Sequence, residues 1–264
     1  MNWSHYFEGL IVCIALATLV WVISVFQRNV SIVDSWWSVL LVSAALVYID
    51  GAGQREWLVL SLLILWALRL SLHITIRSWG EQEDHRYQAI RKKYSPRFTF
   101  KSLFIIFIFQ AILAWILSLP LFFILSNPSE LNLVALIATV IVFFGIVFES
   151  IADWQLQCFK SNPANQGKVM DQGLWYFSRH PNYFGEALVW WGFSLFAIGQ
   201  GFWWSIISPL LLSYLLLKFS GVNLIELSIS ERRPGYRDYI DSTSAFIPGP
   251  KKNSSKNHMK GEQS

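Results

Sequence analysis

The chain has 264 residues, of which 54% are hydrophobic and 14% charged, and its net charge is +4. Soluble domains carry about 25% charged residues, so this composition excludes an ordinary soluble enzyme and defines an all-α, polytopic membrane protein. No nucleic-acid partner is expected, and the oligomeric state cannot be read from the sequence. Cys13 and Cys158 fall in or beside apolar runs and form neither a disulfide framework nor a CxxC metal site.

A membrane-crossing helix needs about 20 apolar residues. About seven candidates follow in order: Leu10–Phe26, Val30–Ile49, Trp57–Ile76, Leu103–Leu125, Leu131–Phe148, Ala187–Ile198 and Phe202–Leu217. The last two are short, and a shallow helical hairpin is the alternative there. The N-terminus has no basic n-region, so the first apolar run reads as a retained span. Lys and Arg crowd the 77–101 loop, the 151–184 segment and the chain after Leu217, whereas the opposite loops carry little beyond Arg55. Seven spans put every basic segment on one side. By the bias of Lys and Arg toward the cytoplasm, the N-terminus is then outside and the C-terminus inside. Residues 1–250 read as one membrane-embedded domain, with a cofactor-binding part mainly over 140–250. The stretch 251–264 reads as a disordered basic tail.

Five places break the apolar pattern, and polar groups facing lipid are costly. Asp34 opens the second span, either as a helix N-cap or as a carboxyl facing a substrate cavity. Arg69, His73 and Arg77 follow i, i+4, i+8 spacing, so they share one helix face. Arg77 alone could reach the interface; Arg69, two turns deeper, calls for an anionic side chain or a ligand phosphate. Glu149, Asp153 and Gln157, with Lys160 beyond, repeat that spacing on the fifth span. They suit either an internal ion pair or a ligand contact. Ser178-Arg179-His180-Pro181-Asn182-Tyr183-Phe184-Gly185-Glu186 then gathers five functional side chains over about two turns beside a Pro and a Gly. Glu226 and the Arg232–Tyr239 segment close the pattern.

These groups suit a charged cytosolic cofactor meeting an apolar substrate drawn from the bilayer. The five histidines form no HxxH, HxxxH or HExxH pair, and there is no GxGxxG, P-loop or GxSxG.

At Gly173-Leu174-Trp175 and at the Ser178–Glu186 stretch the chain resembles the steroid 5α-reductase superfamily. It is most similar to uncharacterised bacterial and plant proteins carrying that C-terminal domain, and more distantly to the isoprenylcysteine carboxyl methyltransferases. The resemblance reaches back to Arg69…Arg77-Ser78-Trp79-Gly80 and forward to Tyr236 and Phe246-Ile247-Pro248. It implies an NADPH site at the cytoplasmic helix ends and a lipid in the membrane half. Arg69, His73 and Arg77 match cofactor-side positions. Glu149 and Asp153 match an Asn-xxx-Asp pair, with Glu149 a departure. Arg179, Asn182, Tyr183 and Glu186 match the motif that braces the nicotinamide-ribose end, and Asp34 stands where the steroid enzymes hold a substrate ketone. His180, Lys160 and Tyr236 complete the expected cofactor side. The late His-xxx-Tyr of the reductases is missing, and Glu226 occupies that region as in the methyltransferases.

The expected activity is NADPH-dependent reduction of a conjugated C=C bond in a steroid-like, isoprenoid or fatty-acyl lipid, with Asp34, Tyr183 and Glu186 as the catalytic candidates and Arg69, Arg77 and Arg179 as the cofactor's phosphate ligands. The alternatives are an S-adenosylmethionine-dependent membrane methyltransferase, with Arg179, His180, Tyr183 and Glu226 around the cofactor, and a non-catalytic lipid-binding membrane protein.

Overall fold

The computed structural model describes residues 2–51, 53–220 and 235–252, all helices and connections with no strand among them. The expected Glu226 site and most of the basic tail lie outside the described residues. The described chain divides into two compact units, Met1–Thr139 with Phe193–Ser208, and Val140–Gly192 with Pro209–Ser264.

Unit 1 begins with α1 (Trp3–Gln27), capped at its start by the Asn2 side chain and ended by Arg28 in the left-handed region at φ 54°. The helices α2 (Ile32–Val47) and α3 (Gln54–Ser78) follow. A polar connection then carries the short α4 (His85–Lys93). The apolar run expected as one span at Leu103–Leu125 is two helices. A continuous α5 runs over Phe98–Leu117, and α6 over Leu119–Leu125. Pro120 sits in the first turn of α6. It has no N–H to donate and its ring clashes with the carbonyl one turn back, so the helix stops at Ser118 and restarts. The start moves outward because Phe98 and Thr99 extend the helix into the basic loop.

Among the described residues four helices are long and apolar enough to cross a membrane: α1, α3, α5 and α7 (Leu133–Ser161), with 25, 25, 20 and 29 residues. The apolar helices Ile32–Val47 and α10 (Trp203–Lys218) are shorter. On α7 the exposed apolar residues Leu133, Leu136, Ile137, Val140, Phe143, Phe144, Val147, Ile151 and Trp154 recur every three or four positions, the stripe expected of a face turned to lipid. At 1.5 Å per residue α7 is about 43 Å long, against a hydrocarbon core of about 30 Å. The helix is thus longer than the apolar slab is thick.

Unit 2 holds the later part of α7, then α8 (Leu174–Phe177), the first part of α9 (Pro181–Ile198), the end of α10 and α11 (Tyr236–Ser242).

The first turn of α3 holds a fully buried ion pair. Arg55 and Glu56 are 2% and 0% exposed and lie 2.8 Å apart. The other two nitrogens of the guanidinium are bonded as well: Nη1 on Ser129 Oγ, Nη2 on the carbonyls of Ile124 and Asn127 at 2.9 Å. Glu56 takes the Gly53 N–H at 2.9 Å and the Ser129 N–H at 3.4 Å. Arg55, expected as a loop cation, is instead the tie between α3 and the end of α6.

Removing one partner of a buried pair strands the other. Arg55→Ala should cost about 3–5 kcal/mol and lower the thermal midpoint in detergent sharply, whereas Arg55→Met with Glu56→Leu should restore most of it. Equal loss in the single and double variants would show that shape, not charge, holds this corner.

Candidate functional site

In unit 2 the site starts from two glycines. A Cβ on Gly145 of α7 would lie 2.8 Å from the Gly185 carbonyl oxygen and 2.9 Å from the Val189 nitrogen. One on Gly185 of α9 would lie 2.7 Å from the backbone nitrogen of Glu149. The two helices therefore touch backbone to backbone, an approach open only to small residues. The next turns of each helix carry the polar groups. Glu149 and Asp153 on α7 are 4% and 7% exposed, and Glu186 on α9 is 6% exposed. Asn182 Nδ2 donates to Asp153 Oδ1 at 3.1 Å, and its own Oδ1 is buried without a partner. Trp190 Nε1 donates to Glu186 Oε1 at 3.2 Å. His180 is buried and stacks on Tyr183, with ring centroids 5.3 Å apart.

The first residues of the motif serve as a bracket. Arg179 Nη1 donates to the carbonyls of Ile240 and Thr243 at 2.7 and 2.6 Å. These are the unsatisfied carbonyls at the end of α11, where a cation also meets the negative end of the helix dipole. The Arg179 N–H reaches Ser244 O at 2.8 Å, Ser178 Oγ reaches Phe246 O at 2.8 Å, and the Gly249 N–H reaches Phe177 O at 3.0 Å. Tyr239 Oη donates to the Trp175 carbonyl, and Trp175 Nε1 to Ala152 O at 2.9 Å. Tyr236 is buried beside Tyr239. Lys160 is exposed at the end of α7.

In unit 1, Asp34 and Arg77 line one cleft of about 510 Å³ together with Trp36, Trp79 and Asp84. Arg69 and His73 follow on the same helix, half-buried. Asp34 does not cap α2, since Ser31 holds that position. Its two oxygens accept instead from Tyr87 Oη at 2.6 Å and Arg86 Nη2 at 2.9 Å. A strap of residues 83–91 is thereby tied to the α1–α2 turn. Glu83 takes the Val30 N–H at 3.0 Å and both Arg91 Nε and Nη2, and the Asp84 N–H reaches Ser31 Oγ at 2.8 Å. Burial alone would push Glu83 upward, but the hydrogen bonds from Arg91 and Val30 outweigh it and hold its pKa below the usual value. Asp84 is likewise held down: burial opposes, but the Arg86 side chain and N–H prevail. Burial and the adjacent Asp34 carboxylate raise the Tyr87 phenol well above its usual range.

Among the described residues no three His, Cys, Asp or Glu side chains converge as metal ligands. The sequence reading missed Gly145, Trp190 and the carbonyl partners of Arg179. Gly145 was the detectable one, being a lone glycine in an apolar helix four residues before Glu149. The others depend on long-range pairing that spacing does not encode.

Residues 20–243 match the family described as "Protein of unknown function (DUF1295)", and the chain belongs to that family. It is also similar to an uncharacterized protein of Schizosaccharomyces pombe, 26% identical over 287 aligned residues that cover 94% of this chain and 80% of the yeast protein. No solved structure matches.

Two outcomes follow from the geometry. Gly185→Ala places a methyl against the α7 backbone, so it should lower stability by about 1–3 kcal/mol or more, read as a fall in the thermal midpoint; an unchanged midpoint would disprove the close crossing. For the strap, Glu83 and Asp84 have folded-state values below their unfolded ones. Their contribution is therefore complete above the ordinary carboxylate range, near pH 4, and is lost as pH falls through the depressed values. Amide exchange over 83–91 should stay slow from pH 7 to 5, after correction for intrinsic rates, and rise only below that range. Glu83→Gln should make it fast throughout.

Proposed function

We propose that this chain is an integral-membrane, NADPH-dependent reductase of a conjugated C=C bond in a lipid, built on the scaffold of the steroid 5α-reductase superfamily. In this reading it has about seven spans, an outer N-terminus and a cytoplasmic cofactor site. The observation that carries the reading is the buried polar wall at the Gly145–Gly185 crossing, which coincides with the motif at Ser178–Glu186 through which the chain resembles that superfamily.

The residues suit a nucleotide in one respect and strain against it in another. Asn182 Oδ1 is a buried acceptor with no partner, and a ribose hydroxyl or a carboxamide N–H would satisfy it, as buried acceptors require. Asp153 fixes the amide so that this oxygen is the one presented. Arg179, expected as a phosphate ligand, has Nη1 committed to two carbonyls. The phosphate role then rests on the other two expected ligands, Arg69 and Arg77. Bound NADPH would supply the hydride. The protein's part is to hold the enone and stabilise the oxyanion that develops on its carbonyl. Tyr183 is the better donor, because a tyrosine hydroxyl carries its proton at neutral pH, whereas Asp34 has both oxygens accepting from Arg86 and Tyr87.

That commitment of Arg179 is also the specific observation favouring the second reading, an S-adenosylmethionine-dependent methyltransferase, whose cofactor has no phosphates to hold. Thermal-shift titration of the detergent-purified protein separates the two. A true cofactor at 100 times its Kd stabilises by about 2.7 kcal/mol, so NADPH should raise the midpoint by several degrees and Asn182→Ala should abolish the shift. S-adenosylmethionine acting instead would select the methyltransferase. Silence from both, with no NADPH oxidised against any enone lipid, would leave only lipid binding.

A further inference from the structure

The 77–101 connection carries six cations between Arg86 and Lys101: Arg86, Arg91, Lys92, Lys93, Arg97 and Lys101. The structure divides them into two sets. Arg86 is bound to Asp34 and Asp84, and Arg91 to Glu83. The acids at 83 and 84 are thus spent on the strap, facing the bundle. Lys101 donates to the Tyr94 carbonyl at 3.1 Å. Lys92, Lys93 and Arg97 are exposed and have no carboxylate partner among the described residues. At 100° per residue, the Tyr87–Ile90–Arg91 side of α4 faces the body, and His85, Ala89, Lys92 and Lys93 share the opposite side. The buried state of Tyr87 and the exposure of His85, Ala89, Lys92 and Lys93 agree with that arrangement.

The depth of this face is set by its neighbour. Arg97 directly precedes Phe98, the first residue of the candidate span Phe98–Leu117, and that helix opens with Phe100 and Phe104 exposed at 61% and 54%. The basic face therefore stands within a turn or two of the water end of a lipid-exposed helix. Glu83 and Asp84 are engaged by Arg91 and Arg86, Lys92, Lys93 and Arg97 are exposed, and the exposed rings of Phe100 and Phe104 follow in the chain.

We infer that the outer face of α4, through Lys92, Lys93 and Arg97, docks on anionic phospholipid headgroups of the leaflet beside it, anchoring the strap that ties down Asp34. The inference rests on the membrane-spanning reading but not on either cofactor. Juxtamembrane cations next to a span draw anionic headgroups, each contributing about fivefold in local affinity near a charged leaflet. Three cations without a carboxylate partner, Lys93 among them although its ammonium lies 5.5 Å from the Tyr94 ring centroid, are together worth on the order of 100-fold.

The test uses the full chain in nanodiscs of phosphatidylcholine alone and of phosphatidylcholine with one third phosphatidylglycerol, reading amide exchange over 85–97 by mass spectrometry. Exchange should slow several-fold in the anionic discs and return to the phosphatidylcholine rate at high salt, since exposed charges are screened. The triple variant Lys92→Gln, Lys93→Gln, Arg97→Gln should incorporate equally well and lose the difference between disc types. Equal exchange of the unmodified chain in both discs overturns the inference and leaves the membrane reading intact, as does protection that survives in the triple variant. A chain that enters neither disc overturns the membrane reading and this inference with it.

Discussion

The backbone contact between Gly145 and Gly185 is the constraint on which the rest of the site depends. Lipid tails are as apolar as leucine, so helices in a bilayer gain little from burying apolar surface against each other and rely on close packing instead. Two glycines permit that packing. Once the backbones meet, Glu149 and Asp153 on one helix and Asn182 and Glu186 on the other are held in a buried space where charges are expensive. Asn182 and Trp190 offset part of that cost by donating to Asp153 and Glu186. The cluster is thus a consequence of packing density. Widening the crossing by a methyl group would let in water and weaken the reason for those acids to be there.

Elsewhere the chain handles its few ionic groups by two different rules. At the start of α3 the Arg55–Glu56 pair is buried and closed, with each guanidinium nitrogen bonded to an acceptor. In the 77–101 connection Glu83 and Asp84 are matched to arginines, while Glu81 and some of the cations are left over. A closed pair holds neighbouring segments together without answering to the surroundings, whereas a partly matched set responds to pH, salt and lipid composition. The fixed corner and the responsive strap both belong to unit 1.

Much of this was legible in the sequence. Long apolar runs separated by basic loops gave an all-helical membrane class, and four of the helices have the length and composition to cross a bilayer. The i, i+4 spacing of Glu149 and Asp153 put them on one face, whereas the helix expected at Ala187–Ile198 begins six residues earlier, at Pro181, whose fixed φ suits a first helical turn. Other features depend on partners distant in the chain. Arg179 looked like a phosphate ligand because a buried arginine in a motif suggests an anion, yet helix-end carbonyls 61 and 64 residues away also accept from it. Asp34 read as either a cap or a cavity carboxyl; it lines a cleft and caps nothing, and its partners, 52 and 53 residues later, could not be read from spacing. Pro120 was visible and carried the correct signal, but uniform apolarity around it hid the break between α5 and α6.

The bracket formed by Ser178 and Arg179 has a consequence for the order in which the molecule can be made. Its acceptors, from Ile240 to Phe246, are synthesised some sixty residues after the donors. During translation the helix bearing Asn182 and Glu186 is therefore made with its leading turn unbraced, and its polar groups wait for the late segment to arrive. The centre of unit 2 is completed from the far end of the described chain. A stop codon just before Tyr236 would act less like the loss of a tail than like a lesion in the motif itself.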